Sequence, residues 1–147
     1  MADVLVLNGP NLARLGSREP DVYGSADHDA LVRAATEWGR AHELSVEVRQ
    51  SDDESELIGW LHEAVDSGSD VVLNPAAFTH YSYALADAAK LVTAAARTLV
   101  EVHLSNPAAR EEFRHTSVIA AVATGTVAGF GFESYRLALD VIASRRG

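Results

Sequence analysis

The sequence predicts a parallel, doubly wound α/β sheet, and three observations carry the prediction. Short apolar, β-branched runs alternate five times with segments of helical spacing. The runs are continuous, as expected where helices cover both faces of a sheet. They also stop abruptly in polar or turn-forming residues, such as Asn8-Gly9-Pro10-Asn11 after the first run and Asn74-Pro75 after the third.

Residues 3–7 (DVLVL) form the first strand. Residues 9–24 follow with five glycines and prolines and no periodicity. A loop of that length in a compact domain is usually functional or disordered, and its Asn11, Arg14, Arg18 and Tyr23 favour an active-site lid. Residues 27–42 have helical spacing through Leu31, Ala34, Ala35 and Trp38, with Asp27 placed to cap the start. The second strand, 44–48, breaks at Gln50-Ser51. Residues 53–67 form a helix with Leu57, Leu61, Ala64 and Val65 on one face, and its acidic first turn suits the helix dipole. Strand three is 70–73, and 81–92 is an alanine-rich helix. Strand four is 97–102, followed by a short helix over 106–114. The stretch 118–128 contains strand five and closes in glycines, and 133–144 is the last helix. With right-handed crossovers, five strands of flavodoxin-like order are the simplest arrangement, in one domain spanning 1–147.

The composition narrows the function. Of the 147 residues 48% are hydrophobic, enough for one sizeable core. There is no cysteine, so disulfides and thiolate metal sites are excluded. The first residues lack a basic segment and a long apolar run, so a signal peptide is not expected and a cytoplasmic protein is. The net charge of −9 argues against nucleic-acid and anionic-membrane partners. A local arginine cluster (14, 18, 110 and 114) can still hold a small anion.

The chemistry gathers in residues 99–114, LVEVHLSNPAAREEFR. Glu101, His103 and Ser105 alternate with Val102 and Leu104, so an extended chain points all three to one face. Such a row suits a strand end opening into a cleft, where ligands bind in this class of fold. The other strand ends carry Asn8, Asn11, Gln50, Ser51 and Asn74. No phosphate loop, dinucleotide fingerprint, HExxH pair or GxSxG elbow occurs, and the first strand ends without the acidic residues of a receiver domain. What remains is acid/base chemistry on a small anionic molecule, with no cofactor and no metal. The acid/base pair is His103 and Tyr23, with Arg18 placed to stabilise the phenolate. Alternatively, Tyr23 anchors its loop. Asn11 and Asn74 either orient substrate oxygens or serve turns and caps. Arg110 and Arg114 share a helical face near the rim or are surface partners of Glu111 and Glu112. A binding module for a small anion, or another lyase or isomerase, are the competing classes.

Five motifs carry a family resemblance: LNGPNLARLGSREPDVYG (7–24), RQSDDESELIGWLHEA (49–64), LNPAAFTHYSYALADA (73–88), EVHLSNPAAREEFRHTS (101–117) and ATGTVAGFG (123–131). In register along nearly the whole chain, they resemble the type II 3-dehydroquinate dehydratases, or type II dehydroquinases. The resemblance implies dehydration of 3-dehydroquinate to 3-dehydroshikimate through an enolate, without cofactor. It implies that Tyr23 removes a C2 proton, Arg18 lowers its pKa and Asn11 stabilises the enolate. His103 then protonates the departing C1 hydroxyl and is oriented by Glu101. It further implies that Ser105 and the Leu104 backbone hold the carboxylate, and that Asn74, His80 and Arg114 hold ring hydroxyls. Asp87 is implied to reach a neighbouring subunit's site in a dodecamer built from trimers. Ala86 stands where the family often has arginine.

Overall fold

The computed structural model describes residues 1–16 and 26–147. The five strands are β1 (Val4–Asn8), β2 (Val46–Gln50), β3 (Asp70–Asn74), β4 (Leu99–His103) and β5 (Gly125–Ala128). All pair in parallel in the order β2-β1-β3-β4-β5, the flavodoxin-like arrangement. The helices of the described residues are α1 (His28–Ala41), α2 (Glu54–Ser67), α3 (Tyr83–Ala94) and α4 (Glu133–Arg146). From β1 the chain runs outward to β2, then crosses to the other side of β1 to form β3. The point where strand order reverses therefore lies between β1 and β3, where this class of fold binds ligands.

The apolar runs are continuous because alternate residues enter two different cores. Val4, Val6, Val72, Val100 and Val102 pack with Leu31, Ala35, Leu139 and Ile142 beneath α1 and α4, and Trp38 lies at the edge of that layer. Leu5, Leu7, Val71, Leu73 and Leu99 face Leu57, Leu61, Leu85 and Val92 from α2 and α3, with Trp60 at the edge. Burying each leucine side chain stabilises the fold by about 2 kcal/mol. The sheet edges depart from the pattern: β2 (VEVRQ) alternates and exposes Glu47, while β5 (GTVA) is largely accessible. Side-chain caps start three helices. Asp27 accepts from the Ala30 N–H at 2.8 Å, Asp53 from that of Ser55 at 2.9 Å, and Ser82 from that of Leu85 at 3.1 Å.

Several boundaries differ from expectation. β2 lies two residues later, because its register with β1 runs to Gln50 opposite Asn8 and Glu43 turns the chain first at φ 60. A 3₁₀ turn, Ala76–His80, precedes α3, which starts at Tyr83 behind its Ser82 cap. β5 is confined to four residues; 118–124 turn instead and place Ile119 in the α2–α3 core. The helix expected over 106–114 does not form. Two 3₁₀ turns, Pro107–Ala109 and Glu112–His115, flank an extended Arg110. Neither turn buries a residue, so no packing repays the cost of a helix. Among the described residues no helix is long and apolar enough to cross a membrane.

Two glycines test the helix packing. A Cβ on Gly39 would lie 2.3 Å from Val46 Cγ2 and 3.1 Å from the Leu44 carbonyl oxygen, whereas one on Gly59 would meet nothing within 4 Å. Gly39→Ala should cost about 1–3 kcal/mol in urea unfolding through overpacking. Gly59→Ala should add about 0.5–1 kcal/mol from helix propensity. Equal stability of the two variants would refute the close approach of α1 to β2.

Candidate active site

Parallel pairing brings Asn8 opposite Asn74 at the ends of β1 and β3. The Gly9 N–H donates to the Asn74 carbonyl at 2.8 Å and holds the two exits together. A side chain at position 9 could not fit, since its Cβ would come 2.8 Å from the Pro75 carbonyl oxygen. Above these ends opens a cavity of about 210 Å³. Pro10, Asn11 and Leu12 line it from β1; Asn74, Ala76 and His80 from β3; His103, Leu104 and Ser105 from β4; and Arg110 and Arg114 close it. A larger cavity, about 500 Å³, opens at the opposite end of the sheet beside Asp70, Arg97, Arg145 and Arg146. There Arg146 already pairs with Asp70 at 2.8 Å and Arg145 donates to Thr98 Oγ1 at 2.9 Å. The smaller cavity is the functional candidate because it sits at the carboxyl ends of the strands, at the reversal of strand order.

The electrostatics of the site centre on the Glu101 carboxylate. Its side chain is buried, and the His103 Nε2 lies 2.6 Å from its Oε2. Thr79 Oγ1 donates to the same oxygen at 2.5 Å, and Ser117 Oγ donates to both carboxylate oxygens at 2.9 Å. The Ser117 oxygen is itself fixed by the N–H groups of Ile119 and Ala120, at 3.1 and 3.0 Å, so its own proton turns to the carboxylate. Burial alone would push the Glu101 carboxyl up. The bonds from His103, Thr79 and Ser117 and the attraction of His103 together outweigh burial and hold it below the usual carboxylate range. A fixed negative charge behind an imidazole sets the ring's orientation. With Nε2 committed to Glu101, Nδ1 remains for another partner. His103 stands between the rim cavity and a second one of about 220 Å³ that Thr79, Glu101 and Ser117 also line.

Of the other expected site residues, Asn11 adopts φ 72, and its N–H donates to Asp52 Oδ1 at 2.8 Å. His80 Nδ1 donates to the Thr116 carbonyl at 2.8 Å and meets Phe113 edge-on at 5.9 Å. Ser105 Oγ accepts from Arg110 at 3.4 Å, and the Leu104 carbonyl accepts from the Gly131 N–H at 2.9 Å. Arg114 donates to Glu111 at 3.1 Å and stacks over Phe113 at 4.7 Å. Arg110 and Arg114 thus share the cavity without sharing a helix face. Asp87 is exposed on α3 and lines neither rim cavity. Arg18 and Tyr23 lie outside the described residues. Thr79, Ser117 and Asp52 were not foreseen; a hydroxyl or carboxylate in a loop carries no periodic signal. Among the described residues no group of three or more His, Asp or Glu is arranged to hold a metal ion.

The chain is similar to known proteins along nearly its whole length. The family model described as Dehydroquinase class II matches residues 2–143. The 3-dehydroquinate dehydratase of Salinispora tropica is 58% identical over 142 residues, covering 97% of each chain. That of Deinococcus radiodurans is 51% identical over 141 residues, covering 95% of this chain and 96% of the relative. The crystal structure of the type II dehydroquinase from Propionibacterium acnes superposes with a TM-score of 0.93 at 52% identity, covering 98% of both chains.

The buried carboxylate has a measurable signature. Because the folded-state pKa of Glu101 is depressed, folding favours its ionised form. Its contribution is complete above the unfolded-state pKa of about 4.3 and is lost as pH falls through the lower folded-state value. In Glu101→Gln the unfolding free energy should therefore decline less steeply than in wild type between about pH 5 and pH 3. Coincident slopes would show that Glu101 is not ionised against its burial.

Proposed function

The chain belongs to the class II dehydroquinase family, and on that premise we propose that its rim site dehydrates 3-dehydroquinate to 3-dehydroshikimate through an enolate. The observation that carries the assignment of roles is the buried Glu101 carboxylate bonded to His103 at the wall of a polar cavity. An imidazole backed by a carboxylate holds a proton where a leaving oxygen can take it.

Tyr23, its phenolate favoured by the positive charge of Arg18, removes the C2 proton. The electron pair moves into the C3 carbonyl, and Asn11 supports the resulting oxyanion, through a water, as a dipole placed where charge develops. The enolate then re-forms the carbonyl as the C1–O bond breaks, and His103 Nδ1 delivers the proton that lets water depart. Tyr23 is left protonated and His103 neutral, and exchange with solvent restores both. The atoms balance without a cofactor or metal. Ser105 and the Leu104 backbone hold the substrate carboxylate, with Arg110 and Arg114 supplying positive charge at the same wall. Asn74, His80 and Arg114 hold the ring hydroxyls. The segment 9–24 acts as the lid that excludes water from the enolate, within one catalytic domain spanning 1–147.

The active form is a homo-oligomer, a dodecamer built from trimers, in which Asp87 completes a neighbour's site. In support, Tyr83, Asp87 and Leu91 form one i, i+4 stripe on α3, and Tyr83 and Leu91 are 74% and 49% exposed in the isolated chain. Apolar side chains so open to water suit burial against another copy. The same reading places the enzyme in the cytoplasm.

Enone absorbance on adding 3-dehydroquinate tests the reaction. Wild type should form the enone. His103→Ala should lose it by about 10²-fold or more, yet still exchange the C2 proton with deuterated water, because Tyr23 is intact. Near-normal turnover in that variant would reduce His103 to a structural histidine, and no enone from wild type would overturn the activity.

A further inference from the structure

Beneath the cavity floor a chain of buried polar groups links four elements. Asn74 lines the cavity at the end of β3, and its Oδ1 accepts from the Ala76 N–H at 3.1 Å. Its Nδ2 donates to the Tyr135 hydroxyl of α4 at 2.8 Å. That hydroxyl donates in turn to Asn8 Oδ1 at 2.7 Å, and Asn8 Nδ2 donates to His28 Nε2 of α1 at 3.1 Å. Asn8 and Tyr135 are fully buried, and Asn74 nearly so.

These bonds have only one consistent direction. A backbone N–H can only donate, so Ala76 fixes Oδ1 as the acceptor end of the Asn74 amide. The other end is then Nδ2, and Tyr135 must accept from it. The single phenolic proton is left for Asn8, whose Oδ1 takes it and whose Nδ2 faces His28. His28 closes the chain as an acceptor; burial pushes its pKa down and so favours the neutral ring, against the pull of Asp29 and Asp27. Burial also pushes the Tyr135 phenol far up, so it keeps its proton and serves as donor and acceptor at once. Ala76 itself sits at φ 51, a left-handed conformation that side chains disfavour, and its bond from Asn74 helps to hold it there.

We propose that Tyr135 is a positioning residue for the dehydration, and that it fixes which end of the Asn74 amide the substrate meets. The inference rests on the site reading above, in which Asn74 holds a ring hydroxyl. A half-turn of the amide exchanges N–H and C=O toward the cavity. Without the phenolic oxygen the buried Nδ2 loses its partner, and only the single Ala76 bond opposes that half-turn. Tyr135 touches no substrate; it acts through Asn74.

The test is steady-state dehydration of 3-dehydroquinate, with thermal unfolding in parallel. Tyr135→Phe keeps the ring in the core and removes only the hydroxyl. It should raise KM by about tenfold while kcat changes much less. In an Asn74→Ala background the same substitution should leave KM where Asn74→Ala alone puts it, because the two act as one unit. Asn8→Leu, outside the cavity lining, should reproduce the KM increase by leaving Tyr135 without its acceptor, and Asn8→Asp, which retains an acceptor, should raise KM less. The Asn8 pair decides the matter if Tyr135→Phe fails to fold. Wild-type KM in folded Tyr135→Phe, or KM effects that multiply independently in the double variant, would overturn the proposal while leaving the site reading intact. Wild-type KM in Asn74→Ala alone would overturn both.

Discussion

β1 and β3 pair in register to their last residues, Asn8 opposite Asn74, and the Gly9 N–H continues the ladder into the exit loops. The site depends on this pairing. It brings the first and third strand exits side by side at the reversal of strand order, and β4, paired to β3, sets His103 beside them. The connection Asn74–His80 is then forced into a tight path, with Ala76 left-handed and Thr79 turned inward under β4. A slip of one residue would send every strand side chain to the opposite face. It would put Glu101 among the α1–α4 hydrophobes and remove Asn74 from the cavity.

Two polar clusters make a charged rim compatible with an apolar core beneath it. Each buries groups that would cost several kcal/mol if left unpaired. Around Glu101, hydroxyls from two loops and one imidazole meet the carboxylate. Around Tyr135, two amides and a backbone N–H complete one another. Among the described residues no buried side-chain nitrogen or oxygen lacks a partner. Fully satisfied networks of this kind hold a single geometry, because any rearrangement strands a donor or acceptor in a low-dielectric interior.

Much of this was legible in the sequence, and what was not has physical causes. Runs such as DVLVL and DVVLN could be read as buried parallel strands because both their faces are covered. The Asn74 amide and the His103 row could be placed on one rim because the topology collects strand ends there, whereas Asn8, expected with them, lies buried beneath the cavity floor and bonded to Tyr135. The segment 106–114 misled because its i, i+4 arginines imitate a helix face, while neither of the 3₁₀ turns it forms buries a residue and its one large apolar side chain, Phe113, stays exposed. Strand β5 was blurred because the preceding turns carry their own core residue, Ile119. Thr79, Ser117 and Tyr135 were out of reach for a different reason. Each pairs with a residue between 16 and 127 positions away, and no local pattern records such a partner.

The two core layers are separated by the sheet, and the chain's two tryptophans divide between them, Trp38 beside α1–α4 and Trp60 beside α2–α3. The protein thus carries one intrinsic fluorophore on each face. Trp60 also lies under the Arg49 guanidinium, 5.6 Å from its ring centre, a cationic neighbour able to distinguish its emission from that of Trp38. Replacing either indole with phenylalanine leaves a reporter of one face alone. Ligand capture at the rim, where both faces meet, can then be followed as two separate optical signals that show which half of the molecule responds first.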